Sequence, residues 1–163
     1  MVGDHMRYNI ITVGPEATLG FVLKIYGSLT TVSRLTYVID KENRLLGLLS
    51  MFDLIQIFLP KSFCEELDEK DVERLAASTL TAHADVPVTE IMRKDVASLS
   101  PSDSFLTASR LIQEKKVTAV PVLEDGRLVG EISRRTILQY LARRYSGQEA
   151  LWGFGAQRRN LAP

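Results

Sequence analysis

The strongest constraint on this chain is an internal repeat. Two segments, Pro15 to Ile57 and Pro101 to Leu141, run through the same order of apolar runs and polar turns, and both close on a Gly-x-x-Ser turn that opens an amphipathic stretch. The first copy ends GLLSMFDL, Gly47 to Leu54, and the second GEISRRTIL, Gly130 to Leu138. A repeat of this size is one supersecondary unit that cannot bury its apolar face alone, so the two copies have to pack together. At 163 residues the chain can form one compact domain or two small, intimately paired ones, and either copy by itself would be marginal.

Periodicity predicts the same elements twice, in the order β-α-β-β-α. In the first copy Asn9 to Val13 reads as a strand stopped by Gly14-Pro15, and Leu19, Val22, Leu23 and Ile25 have helical spacing within Ala17 to Ile25. Leu35 to Ile39 and Leu45 to Leu49 form a hairpin around Asp40 to Asn43, after which Ser50 caps a helix from Met51 to Leu59, ended by Pro60. In the second copy a strand at Val96 to Leu99 leads to Pro101, and Ser102 or Asp103 caps a helix running to Lys116 with Phe105, Ala108, Leu111 and Ile112 on one face. The hairpin Ala119 to Leu123 and Leu128 to Ile132 turns at Gly126, which supplies positive φ, and Ser133 caps Arg134 to Arg144.

Between the copies, Asp68 has the look of a helix start, and Val72, Leu75, Ala76, Thr79 and Leu80 form an apolar stripe. This reads as a linker helix packed on the repeats, with a partner-binding helix as the alternative. The expected divisions are residues 8–60, 61–86, 87–145 and an irregular tail, 146–163, holding Trp152 and Phe154. Met1 to Met6 stand outside the first copy, and His5 carries no functional weight. Lys and Arg total 20, as do Asp and Glu, so no net field draws the chain to nucleic acid or an acidic membrane. The N-terminus lacks a signal-peptide core, and no apolar run reaches the roughly 18 to 20 residues of a membrane span. The lone Cys64 makes no intramolecular disulfide, so a reducing cytoplasm is the simplest setting, and two histidines, His5 and His83, supply no metal-ligand set.

The stretch VTEIMRKDVASLSPSDSFLTASRLIQEKKVTAVPVLEDGRLVGEISRRTILQYLAR, Val88 to Arg143, resembles a cystathionine β-synthase (CBS) domain along its whole length. The resemblance rests on IM before the first strand, a Pro after it, AVPVLEDGRLVG across the hairpin and the Gly-x-x-Ser helix start. Tyr8 to Leu59 resembles a more divergent copy. The pair then resembles a Bateman module: an α+β fold of two repeats packed with pseudo-two-fold symmetry, plus the linker helix. The family implies an adenosyl ligand, AMP, ADP, ATP or S-adenosylmethionine, held between the copies, a role in regulation such as energy sensing, and a disc-like homodimer.

Gly-x-x-Ser-x-x-Asp has a physical logic of its own. A helix start presents unpaired N–H groups and a positive dipole end that stabilise a phosphate, and a carboxylate three residues on can accept two hydrogen bonds from a ribose diol. Ser50 and Asp53 fill both roles in the first copy. The same spacing is also an ordinary capping arrangement, and the two roles can coexist if Asp53 caps without ligand and turns to ribose with it. The second copy has Ser133 but Thr136 where the acid would stand, so a bidentate diol contact is lost there. Arg134 and Arg135 can still hold phosphate, or simply face solvent.

By the resemblance, the base would be read by backbone of Thr12, Val13, Gly14 and Pro15 and of Leu35, Thr36 and Tyr37. Thr36 stands where the family usually has the Pro that the second copy keeps as Pro121. Ser98, Leu99, Ser100, Val120, Pro121 and Val122 are the matching second-site positions, beside Ser133, Arg134 and Thr136. The function this supports is a non-catalytic regulatory module binding an adenine nucleotide at Ser50 and Asp53. The alternative is a structural or interaction module with degenerate pockets. An enzyme is disfavoured, since the chain has no Cys/His pair, P-loop, metal set or matched carboxylate dyad. It also carries no effector, so the resemblance implies a regulated partner, either separate or within a longer chain.

Overall fold

Both copies keep the expected element order, with the largest departure where a proline interrupts a strand. The computed structural model describes residues 1–28, 34–66 and 68–146, and the tail expected to be irregular lies outside them. The first copy holds β1 (Ile11–Val13), α1 (Leu19–Ser28), β2 (Leu35–Ile39), β3 (Leu45–Ser50) and α2 (Met51–Phe58). A connecting region of α3 (Lys61–Glu66), α4 (Glu69–His83) and α5 (Val88–Ile91) leads to α6 (Phe105–Lys115), β4 (Ala119–Glu124), β5 (Arg127–Ser133) and α7 (Arg134–Ser146). β1 runs parallel to β2, which pairs antiparallel with β3, and β4 pairs antiparallel with β5.

The strand expected at Val96 to Leu99 shrinks to one parallel bridge, Leu99 with Val122. Leu99 donates to the Pro121 carbonyl at 3.0 Å and accepts from Leu123 at 2.7 Å. One step further back, the Ala97 carbonyl would need the N–H of residue 121, and proline has none. In the first copy Leu35 lies opposite Ser50 as Ala119 lies opposite Ser133, which puts Tyr37 in the register of Pro121. The counterpart of that proline is therefore Tyr37, not Thr36. Its N–H is available, and β1 extends over three residues.

Two local details also differ from expectation. The cap of α6 is Ser104, whose hydroxyl accepts from the Thr107 N–H at 2.9 Å, while Asp103 turns back to accept from Ser100 N–H at 2.7 Å. The first hairpin turn is one residue longer than the second, with Asn43 at φ 66° where the second uses Asp125 and Gly126 at 50° and 77°. Asn43 is tied to the other copy, its side chain donating to the Leu128 carbonyl at 2.7 Å and its carbonyl accepting from Leu128 N–H at 2.9 Å.

The first six residues belong to the fold. Val2-Gly3-Asp4-His5-Met6-Arg7 repeats the pattern of Val88-Thr89-Glu90-Ile91-Met92-Arg93, and each segment serves the opposite copy. Val88 is fully buried among Leu19, Val22, Val38, Leu49 and Leu54, while Val2 is fully buried among Leu99, Ala108, Ile112, Val122 and Ile132. Burying a side chain of this kind is worth about 1.5–3 kcal/mol. Arg93 exchanges backbone hydrogen bonds with Leu48 at 2.9 and 3.0 Å, and Arg7 does the same with Glu131 at 2.9 and 3.0 Å. His5 lies edge-on to Phe105 and Tyr140, with ring centroids 5.5 and 4.8 Å away.

A third core, Leu35, Tyr37, Leu48, Ala119 and Leu128, joins the two sheets. Beside it sits a carboxylate, Glu131, only 2% exposed. The Tyr37 hydroxyl donates to Glu131 Oε2 at 2.9 Å and the Arg7 guanidinium lies 3.7 Å from Oε1. Burial pushes the Glu131 carboxyl above the usual carboxylate range, against Tyr37 and Arg7, which both favour the ionised form. Burial together with this carboxylate also pushes the Tyr37 hydroxyl far above its ordinary value.

The linker helix α4 is capped by Asp68, which accepts from Asp71 N–H at 2.9 Å, and packs on α1, α2 and α3. Val72, Leu75, Ala76 and Thr79 are half-buried, while Leu80 is exposed. Among the described residues no helix is long and apolar enough to cross a membrane.

Two predictions follow from this packing. A Cβ on Gly130 would stand 2.8 Å from the Arg7 carbonyl, and one on Gly47 would stand 2.7 Å from the Arg93 carbonyl. Gly130→Ala or Gly47→Ala should therefore push the exchanged segment off its sheet, costing roughly 1–3 kcal/mol and several degrees of Tm in a thermal melt. Unchanged melting would mean that the exchange contributes little. The second concerns pH. A carboxyl whose folded pKa lies above its unfolded value holds its proton more tightly in the fold, so stability is highest with Glu131 protonated and falls as pH rises through the carboxylate range. Glu131→Gln keeps an acceptor for Tyr37, so its urea midpoint relative to the parent should climb between about pH 4 and about pH 7. A constant difference across that range would contradict this.

Candidate ligand clefts between the repeats

The β3–α2 junction is built by local rules. Ser50 keeps an extended backbone and caps α2, its hydroxyl accepting from the Asp53 N–H at 3.1 Å. Asp53 Oδ2 accepts in return from the Ser50 N–H at 2.8 Å and from its hydroxyl at 2.7 Å, completing a reciprocal capping box. Its other oxygen, Oδ1, is paired with the Arg93 guanidinium. Burial raises the Asp53 pKa, but the hydrogen bonds from Arg93 and from the Ser50 side chain and backbone outweigh it and hold the carboxyl below its ordinary value. Asp53 is thus an ionised acceptor whose outer oxygen faces an exposed, long-armed cation. That partner can swing away, since Arg93 is 55% exposed.

This junction opens onto a cavity of about 740 Å³ between the copies. The first copy contributes Arg34, Leu35, Leu48, Ser50 and, from α2, Met51, Phe52 and Ile55, the leading segment contributes Arg93, and the second copy contributes Lys115, Lys116, Val117, Thr118 and Ala119. Its walls are apolar at Leu35, Leu48, Val117 and Ala119, and four cations, Arg34, Arg93, Lys115 and Lys116, surround them. A recess of about 200 Å³ shares Leu48, Arg93, Lys115, Val117 and Ala119 with this cleft and adds Asp95, Val96, Ala97, Val120 and Pro121.

The corresponding junction of the second copy lacks the acid. Thr136 is buried and locked to Ser133, its N–H donating to the Ser133 hydroxyl at 3.1 Å and the two hydroxyls lying 2.9 Å apart. In front of it is a cavity of about 540 Å³ lined by Arg7, Arg34, Glu131, Ser133, Arg134 and Arg135 among others. Arg34, Thr118 and Ala119 line both large cavities.

The residues singled out from sequence divide accordingly. Ser50 and Leu35 line the first cleft, and Asp53 stands beside it through Arg93. Thr36 and Tyr37 are buried behind it, Thr36 bonded to the Tyr26 hydroxyl at 3.0 Å, while Val13 is core and Thr12 and Pro15 line none of these three cavities. Val120 and Pro121 face the recess, and Ser133 and Arg134 face the second cavity. Ser98, Ser100 and Thr136 line none of the three. The cations Arg7, Arg34, Arg93, Lys115 and Lys116 were missed. Arg7 and Arg93 had a signal, the shared Val-x-acid-x-Met-Arg pattern, whereas Arg34 and the two lysines are brought in only by packing. Among the described residues no cluster of potential metal ligands forms.

The fold has relatives among known proteins. In a curated relative, an uncharacterized protein of Methanocaldococcus jannaschii, 140 residues are 26% identical, covering 84% of this chain and 31% of the relative. The chain spans about a third of the length of the curated relatives it matches. A putative acetoin utilization protein (AcuB) from Vibrio cholerae superposes with a TM-score of 0.68 at 21% identity, over 91% of this chain and 95% of that one. CBSX2 in complex with AMP gives 0.67 at 23% identity over 88% and 97% of the two chains. The cytosolic domain of the Mg2+ channel MgtE in complex with ATP gives 0.60 at 25% identity over 83% and 46%. The family model described as CBS domain matches residues 2–60 and 88–143, so both exchanged segments fall inside the matched regions and the chain belongs to the CBS domain family as a tandem pair.

Proposed function

We propose that this chain is a non-catalytic regulatory module that binds an adenine nucleotide, or S-adenosylmethionine, in the cleft marked by Ser50 and Asp53. The observation that carries the reading is the composition of that cleft: a capped helix start and an ionised carboxylate beside four cations and an apolar wall. Each part has a counterpart in an adenosine phosphate. The helix start and cations take phosphate, the carboxylate takes the ribose diol, and the apolar wall and recess take the base. Ligand entry then requires Arg93 to leave Asp53 Oδ1 for the phosphate, exchanging one charged partner for another. The AMP of CBSX2 and the ATP of the MgtE cytosolic domain support the ligand class. The module works in the cytoplasm as a homodimer, through the exposed side chains Phe52 and Ile55 of α2 and Leu138 and Leu141 of α7, and acts on a separate regulated partner or the remainder of a longer chain. Light scattering should return twice the chain mass, and a monomer at high micromolar concentration would reject the dimer.

One observation favours a second reading, an interaction module with degenerate pockets: both Asp53 oxygens are already satisfied within the protein. A thermal-shift series with AMP, ADP, ATP and S-adenosylmethionine separates the two. At 100 times the Kd, a ligand stabilises by about 2.7 kcal/mol, a shift of several degrees. Asp53→Ala should weaken binding by about 1.5–3 kcal/mol and Thr136→Ala should change it little. Because Asp53→Ala also loses a cap worth about 1 kcal/mol, its fold is checked by circular dichroism first. Absence of any shift at millimolar ligand would select the interaction module, and steady hydrolysis would overturn the non-catalytic assignment.

A further inference from the structure

We propose that Asp95 is a specificity-determining residue of the first cleft: its carboxylate accepts from the exocyclic amine of the base and so selects a purine with an amino group at C6 over one with an oxo group there. This deepens the nucleotide reading above and rests on it, since the base must lie in the recess of about 200 Å³ that Asp95 lines. The recess is apolar at Leu48, Val96, Val117 and Val120, and the charged side chains in its lining are Arg93, Asp95 and Lys115. Among the described residues no ion pair or side-chain hydrogen bond engages Asp95 or Lys115.

The backbone holds that carboxylate in place. Arg93 is bonded both ways to Leu48, and Leu99 donates to Pro121 and accepts from Leu123. Between these anchors the Val96 N–H donates to the Lys94 carbonyl at 3.1 Å, which puts Asp95 at the centre of a γ-turn. Ala97 also lines the recess, with a carbonyl whose ladder donor Pro121 cannot supply. Two acceptors therefore border a pocket with apolar walls, and both suit an N–H group. Adenine presents its N6 amine as donor beside N7 as acceptor, so Asp95 takes the amine and Lys115 donates to N7. An oxo group at C6 turns the donor into an acceptor and sets it against the carboxylate, leaving both without a partner. The first copy repeats the turn, Ile10 N–H to the Tyr8 carbonyl at 3.0 Å, with Asn9 at its centre, an amide that donates as well as accepts. The acceptor-only group stands at Asp95 alone of the two.

AMP and IMP share ribose and phosphate and differ only along the base edge at C6 and N1, so calorimetric titration of both isolates this contact. The parent should bind AMP at least ~10-fold more tightly than IMP. Asp95→Ala should lose AMP affinity, Asp95→Asn should gain IMP affinity by turning its amide to the oxo group, and each should bring the ratio below ~3-fold. Lys115→Gln and Asp53→Ala act on N7 and on the ribose, which both nucleotides share, so each should weaken AMP and IMP by the same factor and keep the ratio. Asp95 is exposed, so both of its variants should melt with the parent. AMP and IMP binding to the parent within ~3-fold of one another, a ratio unchanged in both Asp95 variants, or tighter binding of GMP than of AMP would each overturn the proposal. If AMP binds without discrimination, the cleft reading stands and the role of Asp95 is lost. If neither nucleotide binds at millimolar concentration, the cleft reading fails and the selectivity falls with it.

Discussion

The rest of the molecule depends on a backbone exchange. Each copy carries a leading segment that it does not use itself: Arg93 is bonded to the first copy's β3 at Leu48, and Arg7 to the second copy's β5 at Glu131. These bonds cover sheet edges that would otherwise expose unpaired N–H and C=O groups. They are possible only because Gly47 and Gly130 let a carbonyl come within 2.7 and 2.8 Å of where a Cβ would stand. The valines anchoring the two segments are fully buried in the opposite cores. Neither copy is complete without the other, and the clefts exist because the pairing leaves the helix starts facing across the gap.

Within this symmetric frame, one substitution breaks the symmetry at two levels. Tyr37 occupies the register of Pro121, so the first sheet gains a strand that the second cannot extend. The same tyrosine reaches across the repeats to Glu131, whose own counterpart is Leu48. A buried carboxylate that keeps one hydroxyl donor and a distant guanidinium is costly, and replacing such a group by an apolar one is often harmless or stabilising. Glu131 lines the second cavity beside Arg7, which also anchors the exchanged segment. Anything drawing Arg7 outward therefore acts on the carboxylate, the tyrosine and the inter-repeat core together.

The two clefts show how related geometry yields different chemistry. Both start from a serine-capped helix and both share Arg34. In the first, an acid at the third helical position and apolar walls accompany the cations. In the second, the threonine is turned inward and bonded to Ser133, Glu131 is the carboxylate in the lining, and Ala119, Leu138 and Ala142 give the apolar wall. The difference lies in side chains at positions 53 and 136, 48 and 131, and 51 and 134, all set on an unchanged backbone plan.

Much of this was legible from one-dimensional patterns, because caps, turns and amphipathic periods are local. The doubled Gly-x-x-Ser, the Ser50 and Ser133 caps, the hairpins and the Asp68 helix start each rest on residues within four positions of one another, and all stand in the structure. Ser104 rather than Ser102 or Asp103 capping α6 was not legible, since three neighbouring residues had equal capping chemistry and only packing chose among them. The Tyr37–Pro121 equivalence was hidden because it is set by which residues pair across each hairpin, Leu35 with Ser50 and Ala119 with Ser133, and not by residue type at the position. Sequence alone determined the repeat, its elements and the contrast between Asp53 and Thr136. Tertiary structure decided that the leading segments cross over, that Asp53 meets Arg93 forty positions away, and that scattered arginines converge on one cavity. Long-range pairing of this kind depends on which surfaces the two cores bury against each other, and no local spacing encodes it.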